Sequence, residues 1–339
     1  MTTCQQGCCG DGRGRVSGLL LGVDGGATKT IALIADASGR VLGAGRAGSS
    51  DIHSEPSADI AIDHIVASVR DAATAAGVQP RDLAACTFGL CGADWPEDEA
   101  LYTASLRERL ELTCDPVVTN DAFNSLRAGL DDGIGVALVM GTGAAVAARG
   151  PTGRTWFSGE RMERAGAMEF GRCVYDLLIR GEYGAGPRPA LQQAALDAFA
   201  AESVEDMIHV ITRTGGLGHR SLARLAPVLL EAGHAGDPEA GRIMREQGAT
   251  VAGYVRRAAE RVGLGVPGTR VVMAGGIFKH PGTDLRDAIV ESLGGYRASP
   301  LLLEPVHGAI LLAADGQRAH PDVSLLAASG PGARFFDTG

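Results

Sequence analysis

The chain has 339 residues, 45% apolar and 21% charged, with a net charge of −9 and 49 glycines. That length suffices for two domains and a sizeable core, and the acidic balance argues against nucleic acid and anionic membranes as main partners. No apolar run approaches the ~20 residues of a membrane helix, and glycine stands at about twice its usual ~7% share, so many tight turns or close backbone approaches are expected.

Residues 1–18, "MTTCQQGCCGDGRGRVSG", lack the apolar core of a secretory signal and read as a flexible leader. Its Cys4, Cys8 and Cys9 have no second pair at zinc-finger spacing. Seven cysteines without a signal predict a reducing cytoplasm. From Gly18 a three-stranded meander follows, at 19–24, 30–36 and 40–46, its second turn the Asp/Ser/Gly sequence "DASGR". Over 56–76, Ile62, Ile65, Val66, Val69, Ala73 and Ala76 share one helical face. A strand (83–90), a helix (96–110), a strand (115–120) and a helix starting at Asp121 complete a βββαβαβα order. Cys86 and Cys114 lie in or beside apolar runs and read as reduced core residues, with Cys91 and Cys173 scattered.

The pattern then restarts. "GIGVALVMGTGAAVAARG" (133–150) is a strand, a Gly-Thr-Gly turn and a returning strand. A helix-rich middle covers about 168–262 and ends on the stripe Val251, Tyr254, Val255, Ala258, Ala259 and Val262. A strand (269–276), a helix (283–294), a strand "SPLLLE" (299–304) and a helix (306–315) follow. Residues after Gly316 carry mixed signals and receive no assignment. Alternating strands and helices define an α/β chain, and the strand–small-residue turn–strand echo at 19–34 and 134–148 predicts two related halves with a cleft between them.

The glycine turns carry the chemistry. In "GVDGGATKT" the glycines lead into a strand, not into the helix that a Rossmann fingerprint or P-loop requires. The turn residues Gly25, Gly26, Ala27, Thr28 and Lys29 then form a hairpin tip whose free N–H groups can receive phosphate. Asp24 at the strand end suits Mg2+, since hard cations prefer carboxylate and water oxygens. A plain Asp-Gly hairpin would look the same, but a second small turn at Gly141, Thr142 and Gly143 favours two turns embracing one nucleoside triphosphate. Gly275, Gly276 and Ile277 end another buried strand, where a flat base could lie against bare backbone.

In this order, "GVDGGATKT", "TNDAFNSL", "MGTGAA", "VMAGGIF" and "EPVHGAILLA" resemble the actin/hexokinase/heat-shock ATPase superfamily. Within it the chain looks like the N-acetylglucosamine and glucosamine kinases, which share the BadF/BadG/BcrA/BcrD-type ATPase family with activators of benzoyl-CoA reductase and 2-hydroxyacyl-CoA dehydratase. The resemblance covers about Leu19 to Asp315. It implies two ribonuclease-H-like domains, 19–120 plus 305–316 and 121–304 with a helical insertion, and ATP and Mg2+ in the cleft between them. It also implies a small-molecule sugar acceptor and, as in many such kinases, a homodimer. Asp121 matches the family's strand-end acid and becomes the candidate general base, a role worth ~10²–10⁴-fold; it could equally cap the helix that follows.

The acceptor half departs from the resembled kinases. Asp51 stands where they carry Asn, Ala145 where an Asn can follow the Gly-Thr-Gly turn, and Ala167 where a loop Asp holds sugar hydroxyls. Glu169 is the acid nearest that loop. Ser50, Asp51, Asp94, Thr142 and Glu169 are therefore the candidate substrate contacts, with His53 and Trp95 beside them. Asp51 could also simply cap a turn, Asp94 and Trp95 could only start a helix whose first turn holds Pro96, and His307 reads as structural. Three functions follow: an amino-sugar kinase, an ATPase coupled to a partner protein, and a nucleotide-binding protein that has lost its acceptor chemistry. The coupled activators hold an iron–sulfur cluster through a cysteine near the Gly-Thr-Gly turn, where Met140 stands here.

Overall fold

The computed structural model describes residues 18–265 and 267–337. The expected leader, with Cys4, Cys8 and Cys9, lies outside the described residues apart from Gly18. The first half runs β1 (Leu19–Gly25), β2 (Thr30–Ala35), β3 (Val41–Ala47), α1 (Ala58–Ala76), β4 (Leu83–Leu90), α2 (Pro96–Arg109), β5 (Pro116–Thr119) and α3 (Ala122–Gly129). The second runs β6 (Gly135–Met140), β7 (Ala144–Arg149), β8 (Thr155–Phe157), α4 (Ala167–Glu182), α5 (Gln192–Asp197), α6 (Val204–Thr212), α7 (Ala226–His234), α8 (Pro238–Arg261), β9 (Arg270–Ala274), α9 (Asp284–Leu293) and β10 (Arg297–Pro300). Then come α10 (Pro305–Gly316) and α11 (Val323–Ser329).

Each half builds one five-stranded sheet, in the orders β3-β2-β1-β4-β5 and β10-β9-β6-β7-β8. Read from opposite ends these are the same topology: β1 and β6 each pair antiparallel with the next strand and parallel with the strand that returns after helices. The echo in the sequence is thus a structural repeat. Local chemistry sets the elements. Ser57 accepts from the Ile60 N–H to start α1, and Gly77 stops it in the left-handed conformation. The apolar face of α1, including Ile62, Ile65, Val66 and Val69, packs on Val23, Ala32 and Ile34. Fully burying each such aliphatic side chain contributes about 1.5–3 kcal/mol.

The helices that follow the two sheets cross over. α3, which leaves the first sheet, buries Leu126 against Ala137 and Val272 of the second. α10, which leaves the second, buries Ile310 and Leu311 against Leu20, Ile31 and Leu33 of the first. The two helices also pack on each other, locked at their ends by Arg127 and Asp315, paired at 2.9 and 3.1 Å. Their crossing is backbone-close at Gly308, where a Cβ would lie 1.9 Å from the Asn124 carbonyl oxygen. On this pattern we propose the lobes 19–120 plus 305–316 and 121–304, the first extended by the C-terminal segment.

Three segments differ from the sequence reading. β8 is an additional strand; at three residues, "TWF" is too short to show alternation. The strand expected at 299–304 is displaced to Arg297–Pro300, because ladder pairing with β9 ends at Met273 and Leu302 is left 91% exposed. The unassigned tail forms α11 and a 3-10 turn (Ala333–Phe335) that return to the first sheet. There Val41 N–H donates to Ser329 Oγ at 2.9 Å, and Leu326 and Phe336 join the core under β1 and β2. Gly308→Ala is expected to overpack the helix crossing and cost about 1–3 kcal/mol, read as a lower urea midpoint; an unchanged midpoint would show that the crossing is slack.

Candidate active site

β1 delivers Asp24 and the first glycine turn to the carboxyl edge of the first sheet. The turn is closed by Gly26 N–H donating to the Lys29 carbonyl at 2.8 Å. Its backbone is tied to both neighbouring loops: Gly25 O accepts from Cys91 N–H at 2.7 Å and Gly26 O from Ser50 N–H at 3.1 Å. Ser50 is fully buried beside Gly25, and Tyr102 donates its hydroxyl proton to the Ser50 carbonyl at 2.6 Å. Ala27 and Thr28 are exposed at the tip. Lys29 donates its ammonium to the Phe336 carbonyl of the tail, and burial lowers its pKa against the pull of Glu304.

α3 contributes the residue that sequence reasoning missed. Asn124 is fully buried, and its side-chain amide donates to Asp24 Oδ1 at 2.9 Å and to the Val23 carbonyl at 3.1 Å. It lies where Gly89 of β4 has no side chain. Burial pushes the Asp24 carboxyl up to about 6; the Asn124 hydrogen bond opposes that shift and the charge of Glu304 adds to it. The signal in the sequence was only an Asn one helical turn after Asp121.

Asp121 stands at the start of α3 but makes no side-chain capping hydrogen bond. Asn120 does that work: its Oδ1 accepts from Ala122 N–H at 3.0 Å, while its amide donates to Asp94 Oδ1 at 3.0 Å. The Asp121 carboxylate is therefore not committed to holding the helix. Burial first, then the charges of Asp24 and Asp94, push its pKa up to about 8. Such a carboxyl takes up and gives back a proton near neutrality, as acid–base work requires.

Beside it lies a cavity of about 460 Å3 lined by Asp51, His53, Ser54, Cys91, Asp94 and Trp95. Asp51 Oδ1 accepts from His53 N–H at 3.0 Å, and Oδ2 accepts from the Ser54 hydroxyl. His53 Nε2 lies 3.2 Å from Asp98, whose hydrogen bond and charge raise the imidazole pKa against its burial. Burial raises the Cys91 thiol well above its usual range, helped by the carboxylates of Asp121, Asp51, Asp94 and Asp24. The second lobe reaches the rim of this cavity at two points. The Arg161 guanidinium stacks on Trp95, 4.5 Å from the ring centroid, and Arg220 donates to Ser54 Oγ at 2.6 Å.

The second glycine turn is braced differently. Gly141 N–H donates to Gly143 O at 2.9 Å, while Gly141 O and Thr142 O accept from Ala167 and Met168 at the start of α4. That close fit requires Gly166, with φ +90° and a position where a Cβ would lie 2.3 Å from Gly143 O. Gly275 abuts the Met140 carbonyl, so the turn at 141–143 and the glycine pair 275–276 adjoin. Ile277 turns its side chain into the core. Lys279, just beyond, pairs at 3.4 Å with Glu304, the same acid felt by Asp24 and Lys29. The three glycine elements are thereby linked through neighbours. Glu169 stands apart from the cavity lining: both its oxygens are held by Arg172 at 2.6 and 2.9 Å. Ala145 and Ala167 offer no polar group, and His307 packs on Phe336.

Residues 21–156 match the sequence model of the BadF/BadG/BcrA/BcrD ATPase family. Over 315 residues the chain is 23% identical to an N-acetyl-D-glucosamine kinase of Dictyostelium discoideum, covering 88% of this chain and 99% of the relative. It is 26% identical to an N-acetylmuramic acid/N-acetylglucosamine kinase of Clostridium acetobutylicum, covering 77% and 86%. The solved structure of a Chromobacterium violaceum protein, provisionally described as an N-acetylglucosamine kinase, aligns with a TM-score of 0.68 at 23% identity, over 88% of this chain and 99% of that one. The fold is that of the actin-like ATPases, two ribonuclease-H-like lobes facing one cleft. The resemblance drawn from the motifs to the BadF/BadG/BcrA/BcrD-type family holds.

The raised carboxyls fix a stability signature. Asp121 holds its proton more tightly folded than unfolded (about 8 against 3.8), so its contribution is fully present below the unfolded value and lost as pH rises through the folded one. In chelator-containing buffer, Asp121→Asn is expected to raise the thermal midpoint above wild type at pH 8.5 and to match it near pH 4. A difference independent of pH would rule out the buried-acid account.

Proposed function

We propose that the chain is an ATP-dependent kinase that phosphorylates a hydroxyl of an amino sugar, N-acetylglucosamine or glucosamine, or of a related sugar. The observation that carries this reading is Asp121: a carboxyl with a raised pKa, relieved of helix capping by Asn120, beside an acid-lined cavity of sugar size. The BadF/BadG/BcrA/BcrD-type ATPase match supports the use of ATP, and the relatives named as amino-sugar kinases support the acceptor. No helix among the described residues is long and apolar enough to cross a membrane, in keeping with a cytoplasmic sugar kinase.

The turn residues Gly25–Lys29 and Gly141–Gly143 would hold the phosphates through backbone N–H groups, and Gly275–Gly276 would receive the adenosine. Among the described residues no group of three or more His, Cys, Asp or Glu is arranged to hold a metal ion. Mg2+ nevertheless fits, because it typically keeps several waters and takes one or two carboxylates together with substrate phosphates. Asp24, with Oδ1 fixed by Asn124, is the one carboxylate it would use. When bound, Mg2+ neutralises charge on the phosphates during transfer.

This chain's own residues do the rest. Asp121 accepts the proton of the attacking sugar hydroxyl. Asn120 ties Asp94 to the Ala122 N–H at the start of α3 and so holds the helix that carries the base against the cavity. Arg161 and Arg220 bring the second lobe over the cavity rim, which excludes water and limits wasteful hydrolysis. Asp51 accepts two hydrogen bonds, and a carboxylate has about four lone-pair sites, so it can also receive the ammonium of an unacetylated amino sugar. With Met140 at the second turn, no cysteine is placed there to hold a cluster for a coupled ATPase.

ADP release from Mg-ATP should rise when N-acetylglucosamine or glucosamine is added, and Asp121→Ala should cut that sugar-dependent rate by ~10²–10⁴-fold with ATP binding nearly unchanged. A fully active variant would remove Asp121 from the chemistry. For the wild type, kcat/KM should fall as pH drops through about 8, where Asp121 takes up its proton. Asp51→Asn should shift the kcat/KM ratio toward the acetylated sugar; an unmoved ratio would take Asp51 out of acceptor choice.

A further inference from the structure

Cys86 and Cys114 are reduced and packed in or against the core, as expected, and they also meet each other. Cys86 lies in β4 and is 1% exposed, while Cys114, two residues before β5, is partly open to solvent. Their Sγ atoms stand 3.0 Å apart. A disulfide bond measures ~2.05 Å, so about 1 Å of approach would close it. Both cysteines are free, and neither belongs to the cleft.

We propose that Cys86 and Cys114 form a thiol–disulfide exchange site that takes small-molecule disulfides as its oxidant, Cys114 attacking and Cys86 resolving. Reactivity follows thiolate character and access, and both single out Cys114. The hydrogen bond from Cys86 brings the Cys114 pKa down to about 7, against burial and the charge of Asp115 and with help from Arg107. Cys86 is shifted the other way, by the same hydrogen bond and by burial. The Cys91 and Cys173 thiols are both raised by burial, so they are poor competitors.

The exchange balances in two steps. The Cys114 thiolate attacks one sulfur of the small disulfide; the S–S bond breaks, a mixed disulfide forms on Cys114 and one small thiolate leaves. Cys86 gives its proton to that departing thiolate, and its sulfur attacks Cys114 Sγ. The mixed bond breaks and the second small thiolate leaves, taking a proton from solvent in place of the one Cys114 had lost. Two electrons pass from the protein pair to the small disulfide, yielding one protein disulfide and two small thiols. The bond closes the segment 86–114, which contains the end of β4, the cavity residues Cys91, Asp94 and Trp95, and all of α2. Oxidation thus braces one wall of the cavity from its far side, roughly 13 Å back along β4 at ~3.3 Å per residue.

The test uses the full-length protein, glutathione disulfide at pH 7.5, thiol trapping and tryptic mapping. The expected product joins the peptide 82–107 through Cys86 to the peptide 110–127 through Cys114, with a higher thermal midpoint that dithiothreitol reverses. Cys86→Ser should leave Cys114 as a stable glutathione adduct, and Cys114→Ser should yield neither species. In the wild type under limiting reagent, Cys114 should label at least about tenfold faster than Cys91 or Cys173 at pH 7. A link through Cys91, a glutathione adduct on wild-type Cys114 that never resolves, or equal labelling of all thiols would overturn the proposal.

Discussion

One buried amide holds the candidate active site together. Asn124 reaches from α3 into the gap left by Gly89, and donates to the Val23 carbonyl of β1 and to the carboxylate of Asp24. Asp121 sits one turn earlier on the same helix. The spacing between the candidate base and the candidate cation ligand is thus set by one side chain, and not by the mobility of two loops. A buried amide is held in place because leaving its donors unpaired costs ~1–3 kcal/mol. The same contact anchors α3 to the first sheet while its Leu126 packs on the second.

That dual attachment explains the architecture. Each sheet lends its last helix to the other, and α3 and α10 cross where Gly308 permits backbone contact. The candidate base Asp121 and the candidate cation ligand Asp24 lie beside the crossing, joined to it through α3 and Asn124. The lobes meet again at the cavity rim, where Arg161 and Arg220 of the second contact Trp95 and Ser54 of the first.

The cleft is electrostatically costly. Burial pushes the Asp24 and Asp121 carboxyls up, the charges of Asp24 and Asp94 add to the shift at Asp121, and burial with the charges of Asp121, Asp51, Asp94 and Asp24 raises the Cys91 thiol. Ionisable groups held at unfavourable pKa values are characteristic of sites whose missing partners are ligands. A divalent cation near Asp24 and a hydroxyl or ammonium near Asp51 and Asp94 would relieve the charge.

The repeat, the glycine hairpins and most element boundaries were legible in the sequence, because they depend on local rules: alternation along β1 and β6, Ser57 and Gly77 at the ends of α1, Pro96 at the start of α2. So was the place of Asp121 at the start of α3. The short β8 and the displaced β10 were not, since three residues carry no periodicity and the run Leu301–Leu303 imitates a strand that its partner β9 is too short to pair. The return of the tail onto β1–β3 depends on surface left uncovered by the other helices, which no local window contains. The roles of Asn120 and Asn124, the capture of Glu169 by Arg172 and of Lys29 by Phe336, and the meeting of Cys86 with Cys114 likewise pair groups that the chain brings together only on folding. Sequence chose the elements through backbone propensity and apolar spacing; tertiary packing chose the partners, because a hydrogen bond or a thiol contact is decided by ångströms of side-chain placement.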